Sequence, residues 1–140
     1  MATYTKFNAF VADVANKVHN LGSDSLKILL TLTAPVATNS VKADLTEIAG
    51  GNGYTAGGTA VGITSSTQSS GTYKLIPSGN VVFTASGGSI ANFRYAVIYN
   101  STAASGNLIG FWDSGATQTI TTGNTFTVQL DGTNGILQLA

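Results

Sequence analysis

The segment IANFRYAVIY (residues 90–99) decides the fold class of this chain. In a β-strand, successive side chains point to opposite faces. One face of this segment carries Phe93, Tyr95, Val97 and Tyr99, and the other carries Arg94, Ala96 and Ile98. Because both faces are apolar apart from Arg94, we expect a central strand buried on both sides, or else a strand whose outer face is covered.

The segment LIGFWD (residues 108–113) has the same character, with Ile109 and Phe111 predicted to lie opposite Leu108 and Trp112. Turn signals such as Gly87-Gly88 separate further short runs of strand composition. The candidate strands are residues 26–33, 59–65, 72–76, 80–85, 90–99, 107–113, 117–121, 124–131 and 135–139. A spacing of roughly 8–12 residues is typical of all-β domains. The sequence therefore predicts a mainly β protein, an antiparallel β-sandwich or barrel of jelly-roll-like type, with one N-terminal amphipathic α-helix.

Residues 5–21 carry the helical pattern. Apolar side chains recur there at three- and four-residue spacing, namely Phe7, Phe10, Val11, Val14, Val18 and Leu21. Thr3 or Thr5 is placed to cap the start, and Gly22 is placed to end the helix. The length fits a single domain spanning residues 1–140, with the β body over residues 25–140. We expect the helix to pack on that body, and the alternative is an arm that docks on a partner.

The segment AGGNGYTAGG (residues 49–58) contains five glycines in ten residues and predicts a loop. It lacks the Lys-Ser/Thr ending of a phosphate-binding loop and is not placed between a buried strand and a helix, so nucleotide binding is not expected. Tyr54 is its only large side chain. This ring either holds the loop against the body of the domain or contacts a partner.

Three further segments are predicted from local composition. SVKADLTEI (residues 40–48) predicts one or two helical turns, with Ser40 as the cap. ITSSTQSSGT (residues 63–72) indicates either a flexible crossing or a hairpin at a sheet edge. LDGTNGIL (residues 130–137) predicts a hairpin loop that joins two strands near the C-terminus.

The chain has few charges: six basic and six acidic residues, 9% of its 140 residues, with a net charge of zero. Soluble domains usually carry about 25% charged residues. The scattered Lys and Arg argue against nucleic-acid binding, which depends on neutralising phosphates. No apolar run reaches the roughly 18 residues of a membrane span. The segment MATYTKFNAF lacks the apolar region of a signal peptide, so none is expected.

The sequence offers no convincing catalytic set, and we expect a non-enzymatic protein without cofactor or metal. There is no cysteine, and His19 is the only histidine. A lone His near a helix end is expected at the surface or as a cap, because a catalytic base needs an oriented nucleophile. Asp113 beside Trp112 is compatible with a sugar site, but a core Trp at a strand end is favoured. A calcium site at residues 131–134 would need more carboxylates.

The run KFNAFVADVANKVHNLGSDSLKILLTLTAPVATNS (residues 6–40), followed by DLTEIAGGNGYTAGG (residues 44–58), resembles small virion structural proteins of tailed bacteriophages. The later stretches FRYAVIYN (residues 93–100) and LIGFWD fit the same group, so the resemblance covers most of the chain. It implies a non-enzymatic protein, of which several types act as capsid decoration, or cement, proteins. It transfers no catalytic residues and does not separate capsid from tail placement.

Composition and resemblance together predict a decoration protein that binds and stabilises the assembled phage head. We expect it on the capsid surface of the virion, after synthesis in the host bacterial cytoplasm. Its expected partners are the major capsid protein and other virion proteins, with self-association into a homo-oligomer such as a trimer. Neither nucleic acid nor membrane is an expected partner. The alternative is a tail or head-fibre component that contacts the host surface and binds glycans.

Two segments are the candidates for capsid-facing contacts: residues 1–22 and the glycine-rich loop 49–58. The candidate interface side chains are Phe7, Phe10, Tyr54, Arg94, Tyr99 and Trp112. A glycan site would instead require Trp112, Tyr54 or Tyr99 to be exposed in a shallow groove.

Overall fold

The computed structural model describes residues 3–140 and is mainly β, with antiparallel sheets and one helix near the N-terminus. The helix is α1 (Asn8–Ala15), and a short 3-10 turn spans Lys42–Asp44. The strands are β1 (Thr3–Lys6), β2 (Leu26–Thr31), β3 (Thr59–Val61), β4 (Ile63–Ser69), β5 (Thr72–Pro77), β6 (Val81–Thr84), β7 (Ile90–Asn100), β8 (Leu108–Ile120), β9 (Thr125–Val128) and β10 (Leu137–Leu139). The mainly β prediction is confirmed. The sequence pattern missed β1, and the predicted strands 107–113 and 117–121 are one strand, β8.

The strands divide into three sheets, and every pair of neighbours within them is antiparallel. The largest sheet has the order β1-β8-β7-β2-β3, the second β10-β5-β4 and the third β6-β9. Residues of the two smaller sheets share the main hydrophobic cluster with the largest sheet, which makes the fold sandwich-like. Within residues 3–140 the sheets keep free edges, so the fold is a sandwich rather than a closed barrel.

β7 is the central strand that its sequence predicts, with β2 on one side and β8 on the other. From β7, the main cluster receives Ile90, Phe93, Ala96 and Ile98. The outer face of the sheet is covered as well, by a second cluster of Phe7, Leu29, Val97, Tyr99 and Leu108. The strand is therefore both central and covered on its outer face. The predicted grouping of Phe93 with Val97 and Tyr99 is wrong, because the register of β7 against β8 shifts on both sides of Phe93.

β-bulges decide which side chains share a face in β8. The register of β8 against β7 shifts between Ile98 and Tyr99. Ile109 and Trp112 consequently belong to the main cluster, whereas Leu108 and Phe111 pack in the outer cluster. The predicted grouping of Ile109 with Phe111 is wrong, because a bulge inserts one extra residue and resets the alternation of side chains.

The helix begins later than predicted, at Asn8 instead of residue 5. Thr3–Lys6 instead pairs with β8, and Tyr4 lies opposite Trp112 with their ring centroids 5.2 Å apart. Strand pairing and this aromatic contact outweigh the helical pattern at its first residues, because tertiary packing commonly overrides local propensity.

The helix also ends earlier than predicted, at Ala15 rather than at residue 21. Lys17 adopts the left-handed conformation, with φ at 66°, and so breaks the helical path before Gly22 is reached. Leu21 nevertheless packs against the main cluster from the loop that follows. Burial of side chains beyond the helix thus explains why the apolar pattern continues to residue 21.

The three locally predicted segments have different outcomes. Residues 63–72 form the β4–β5 hairpin with β4 at the edge of its sheet, so the edge-hairpin alternative is confirmed. Residues 130–137 do not form a hairpin, because β9 pairs with β6 while β10 pairs with β5. Residues 40–48 contain only the 3-10 turn, and its start is held by the Asp44 carboxylate, which accepts from the N–H groups of Ser40 and Val41.

Candidate functional site

Five of the six predicted interface side chains are buried within the chain itself, which corrects the expectation that they face a partner. Their relative exposures lie between 0 and 9%. These residues are Phe7, Phe10, Tyr54, Tyr99 and Trp112. Phe7 packs on Phe111 and Phe10 on the ring of His19, with centroid separations of 5.1 and 5.3 Å. Residues 1 and 2 of the predicted contact segment 1–22 lie outside the described residues.

Tyr54 holds the glycine-rich loop against the sheet. Its hydroxyl donates to Glu47 Oε1 at 2.6 Å and accepts from the N–H of Leu30 in β2 at 3.1 Å. Burial is the main cause, and the hydrogen bond to Glu47 the second, of a pKa for Tyr54 well above its ordinary value. Of the two roles predicted for this ring, the structure therefore shows the internal one.

Tyr99 anchors the other end of the same loop, since its hydroxyl donates to the carbonyl of Gly57 at 2.6 Å. Lys42 lies beside it, with Nζ 3.3 Å from Glu47 Oε2 and 5.8 Å from the centre of the Tyr99 ring. Burial, with the nearby Glu47 charge, raises the pKa of Tyr99. The loop is thus fastened by the two tyrosine hydroxyls and by Glu47, which accepts from the N–H of Gly57. Because both rings are buried, neither is free for a ligand.

Arg94 is the one predicted interface residue that remains substantially exposed, at 37% of its side chain. It forms a two-pronged ion pair with Asp113, with Nε to Oδ1 at 2.8 Å and Nη2 to Oδ2 at 3.0 Å. The hydrogen bonds from Arg94 and from the N–H of Gly115 lower the pKa of Asp113. The fixed fork of a guanidinium suits such pairing with a carboxylate.

Arg94 and Trp112 are the predicted residues that the structure brings together at a surface. They line an open groove of about 250 Å³ where β7 and β8 meet β9. The remaining walls are Ala96, Ser114, Gln118, Phe126, Thr127, Val128 and Gln129. Trp112 shows only a small part of its surface there, because Tyr4 packs against its ring. The groove therefore presents amide, hydroxyl and guanidinium groups beside the small exposed part of the Trp112 ring.

His19 is buried, which corrects the expectation of a surface or capping residue. Its Nδ1 lies 3.1 Å from Asn100 Nδ2, and its Nε2 makes no hydrogen bond and lies 3.9 Å from Asp13 Oδ2. Because an amide nitrogen can only donate, Nδ1 accepts and the proton of the neutral ring is on Nε2. Burial lowers the pKa of His19, while the charges of Asp13 and Asp24 act to raise it.

All six acidic side chains of the chain accept hydrogen bonds from the chain itself. Asn side chains or backbone N–H groups donate to most of them, Tyr54 and Gly57 donate to Glu47, and Arg94 to Asp113. The acids are Asp13, Asp24, Asp44, Glu47, Asp113 and Asp131. Asp131, considered above for calcium, closes a turn through the N–H groups of Thr133 and Asn134, and these bonds lower its pKa. Over residues 3–140, no three His, Asp or Glu side chains are grouped so that they could hold a metal ion.

The edge strand β4 is a surface that the list of candidate interface residues does not include. It lies at the end of the order β10-β5-β4, and Thr67, Gln68 and Ser69 are exposed. Its seven residues, ITSSTQS, include no charged side chain. The uncharged Ser/Thr run left open a flexible crossing or an edge hairpin, and the strand order shows that it is an edge.

A scan against protein-family models finds no match, and searches of curated proteins and of solved structures find none either. In the part of the chain that the structure covers, no helix is both long and apolar enough to cross a membrane.

Proposed function

We propose that this chain is a non-enzymatic structural protein of a virion, and specifically a decoration protein of the phage head. The observation that carries the proposal is the use of the carboxylates, since all six accept hydrogen bonds that fasten the chain's own loops and strands. A hydrolytic or acid–base site needs a carboxylate, His or thiol directed at a substrate. Here the ionisable groups stabilise the fold.

The character of the surface supports the same proposal. Exposed positions on β4, on the second half of β8 and on β9 are mostly Ser, Thr, Gln, Gly and Ala. Such a surface binds other protein without first removing water from many charges, which is a major cost of burying ionic groups. The assignment to a virion rests on the resemblance of residues 6–40 and 44–58 to virion proteins, and the head is our preferred placement within the particle.

The proposed mechanism is stabilisation by mass action. A protein that binds only the assembled, expanded shell adds its binding free energy to the stability of that shell, about 2.7 kcal/mol per site at a free concentration 100 times Kd. The chain would bridge neighbouring major capsid subunits from outside, as a homo-oligomer such as a trimer around a local symmetry axis.

The test is reconstitution on purified heads that lack the chain. We expect the added chain to sediment with expanded heads and not with unexpanded shells or isolated tails. We also expect it to raise the temperature at which heads release their DNA. Sedimentation with tails alone, or binding to heads with no rise in that temperature, would contradict the proposal.

A tail or head-fibre protein that binds host glycans is the second candidate, favoured by the groove that Arg94 and Trp112 line. Two observations weigh against it: Tyr54 and Tyr99 are buried, and Trp112 exposes too little of its ring for a sugar to stack on. A glycan array would decide the point. Binding that an Arg94→Ala variant loses would support this candidate over the head protein.

A further inference from the structure

β4 is the longest strand that lies at a sheet edge in this molecule. It pairs with β5 on one side only, and within residues 3–140 no strand lies along its other side. The backbone N–H and C=O groups on that side therefore have no strand partner. A free edge of this kind is a ready template for another strand.

The usual protections of an edge strand are missing from the central part of β4. Natural edges are commonly blocked by charged side chains, by Pro, or by a bulge that twists the edge away. β4 contains no charged residue and no Pro, and its bulge lies between Ile63 and Ser65 at one end. The stretch Ser65–Ser69 is left as a regular, uncharged strand paired only with β5.

We propose that the Ser65–Ser69 edge pairs with the same edge of a second copy of this chain. The contact would be antiparallel and two-fold symmetric, so that the two β4–β5 hairpins join into one sheet across the two copies. It does not depend on the head-decoration function, and as a two-fold contact it is separate from a trimer around a three-fold axis.

A second copy fits this edge because the strand is complementary to itself. In a two-fold antiparallel pair centred on Thr67, Thr67 lies opposite the partner's Thr67, and Ser65 opposite the partner's Ser69. Hydroxyl side chains then face hydroxyl side chains, a favourable cross-strand pairing, and no like charges meet.

The charge on the neighbouring strand does not oppose this pairing. Lys74 of β5 is the residue paired with Thr67. In the joined sheet the two Lys74 positions are separated by three strand spacings, about 14 Å. This distance exceeds the screening length of about 8 Å at physiological salt, so their repulsion is small.

The first experiment measures the mass of the chain in solution by sedimentation equilibrium, at concentrations up to about 1 mM. A strand edge alone buries less area than a stable specific interface, so we expect a weak monomer–dimer equilibrium. A monomer throughout this range would overturn the proposal. It is also the result expected if the edge pairs with a different protein instead of a second copy.

The matched variants place one lysine on or off the edge. Thr67→Lys sets two lysines opposite each other, and we expect it to weaken dimerisation by about tenfold or more. Thr38→Lys adds the same charge at an exposed loop position and should leave dimerisation unchanged. Equal dimerisation of both variants, or a dimer that Thr67→Lys leaves intact, would overturn the proposal.

A cross-link tests the register without relying on a loss of binding. Because the chain has no cysteine, a Thr67→Cys variant carries a single thiol. Directly opposite positions of antiparallel strands are near enough for a disulfide between copies. We expect oxidation to give a covalent dimer with Thr67→Cys and none with Thr38→Cys. Equal cross-linking of the two variants would contradict the two-fold pairing.

Discussion

The hydroxyl of Tyr54 illustrates at the residue scale how this chain uses its polar groups. It donates to Glu47 and accepts from the Leu30 N–H, so one oxygen joins the glycine-rich loop, the 40–48 segment and β2. His19, Asn100 and Asp24 form a comparable buried group, in which Asn100 donates to Asp24 Oδ2 at 2.6 Å. Buried polar groups cost free energy unless they are paired, so these contacts fix one arrangement of the loops.

Removing the Tyr54 hydroxyl should therefore be costly. In Tyr54→Phe the Leu30 N–H loses its acceptor and Glu47 loses a donor, and we expect the free energy of unfolding to fall by about 1–3 kcal/mol. Tyr95→Phe is the control, since the structure shows no hydrogen bond from that hydroxyl among the described residues, and it should change stability by less than about 0.5 kcal/mol. Urea denaturation of both variants measures the difference, and equal losses would contradict the role assigned to Tyr54.

His19 predicts a pH dependence of stability. Burial holds its pKa in the folded chain below the ordinary value of 6.5. The unfolded chain therefore binds the proton more readily, and stability is fully present above pH 6.5 and is lost as the pH falls through the folded pKa. Protonation of Nδ1 would also break its hydrogen bond with Asn100.

The measurement is urea denaturation between pH 5 and pH 8, on the wild type and on His19→Asn. We expect the wild type to lose stability below about pH 6.5. The variant should be less stable at pH 8, because the packing against Phe10 is reduced, but its stability should vary less between pH 5 and pH 7. A variant with the same pH dependence as the wild type would show that another group is responsible.

At the scale of the elements, the glycine-rich loop and β2 come into unusually close contact. Gly58 has a φ of +85°, and a Cβ placed on it would lie 1.9 Å from the carbonyl oxygen of Ile28. Only glycine fits there, because both the backbone conformation and the space exclude a side chain. The hydroxyls of Tyr54 and Tyr99 then hold the loop in this position.

Gly58→Ala should consequently lower the free energy of unfolding by about 3 kcal/mol or more. Gly71 is a matched control, since its φ is +82° and a Cβ there would have no atom within 4 Å. Gly71→Ala carries the backbone strain alone, about 1–2 kcal/mol. Thermal or chemical denaturation compares them, and a Gly58→Ala variant no less stable than Gly71→Ala would contradict the close contact.

The elements also show how far sequence reasoning reaches. The apolar faces of residues 90–99 predicted the central strand β7, because a two-residue pattern follows directly from burial on both sides. The bulge that separates Ile109 from Phe111 was not predictable, since it depends on the register between β7 and β8, which the residue pattern of neither strand fixes. The same holds for β1, whose partner β8 is about a hundred residues distant.

At the scale of the whole molecule, five of the six candidate interface residues are large aromatics, and side chains of this kind fill a core as readily as an interface. Phe7, Phe10, Tyr54 and Tyr99 are large because they fill the two hydrophobic clusters or fasten loops. Arg94 and the edge of β4 are the surface features that remain. Composition alone left the edge as one of two alternatives, because Ser and Thr runs occur both in loops and in edge strands, and the strand order decides between them.

The scarcity of charge has a consequence for the whole molecule too. All six acids accept hydrogen bonds within the chain, and two of the six basic residues, Lys42 and Arg94, form ion pairs with acids. The outer surface therefore depends mainly on Ser, Thr, Asn and Gln for its polarity. Such a surface suits lasting contact with other protein, which is the central claim of the proposed function.

Cryo-electron microscopy of the virion in which the proposal places the chain tests that claim most directly. We expect density that fits the three-sheet sandwich on the outer surface of the head, at repeated positions that bridge neighbouring major capsid subunits. Density for the chain only in the tail or a fibre, or no copy of the chain in the particle, would contradict it.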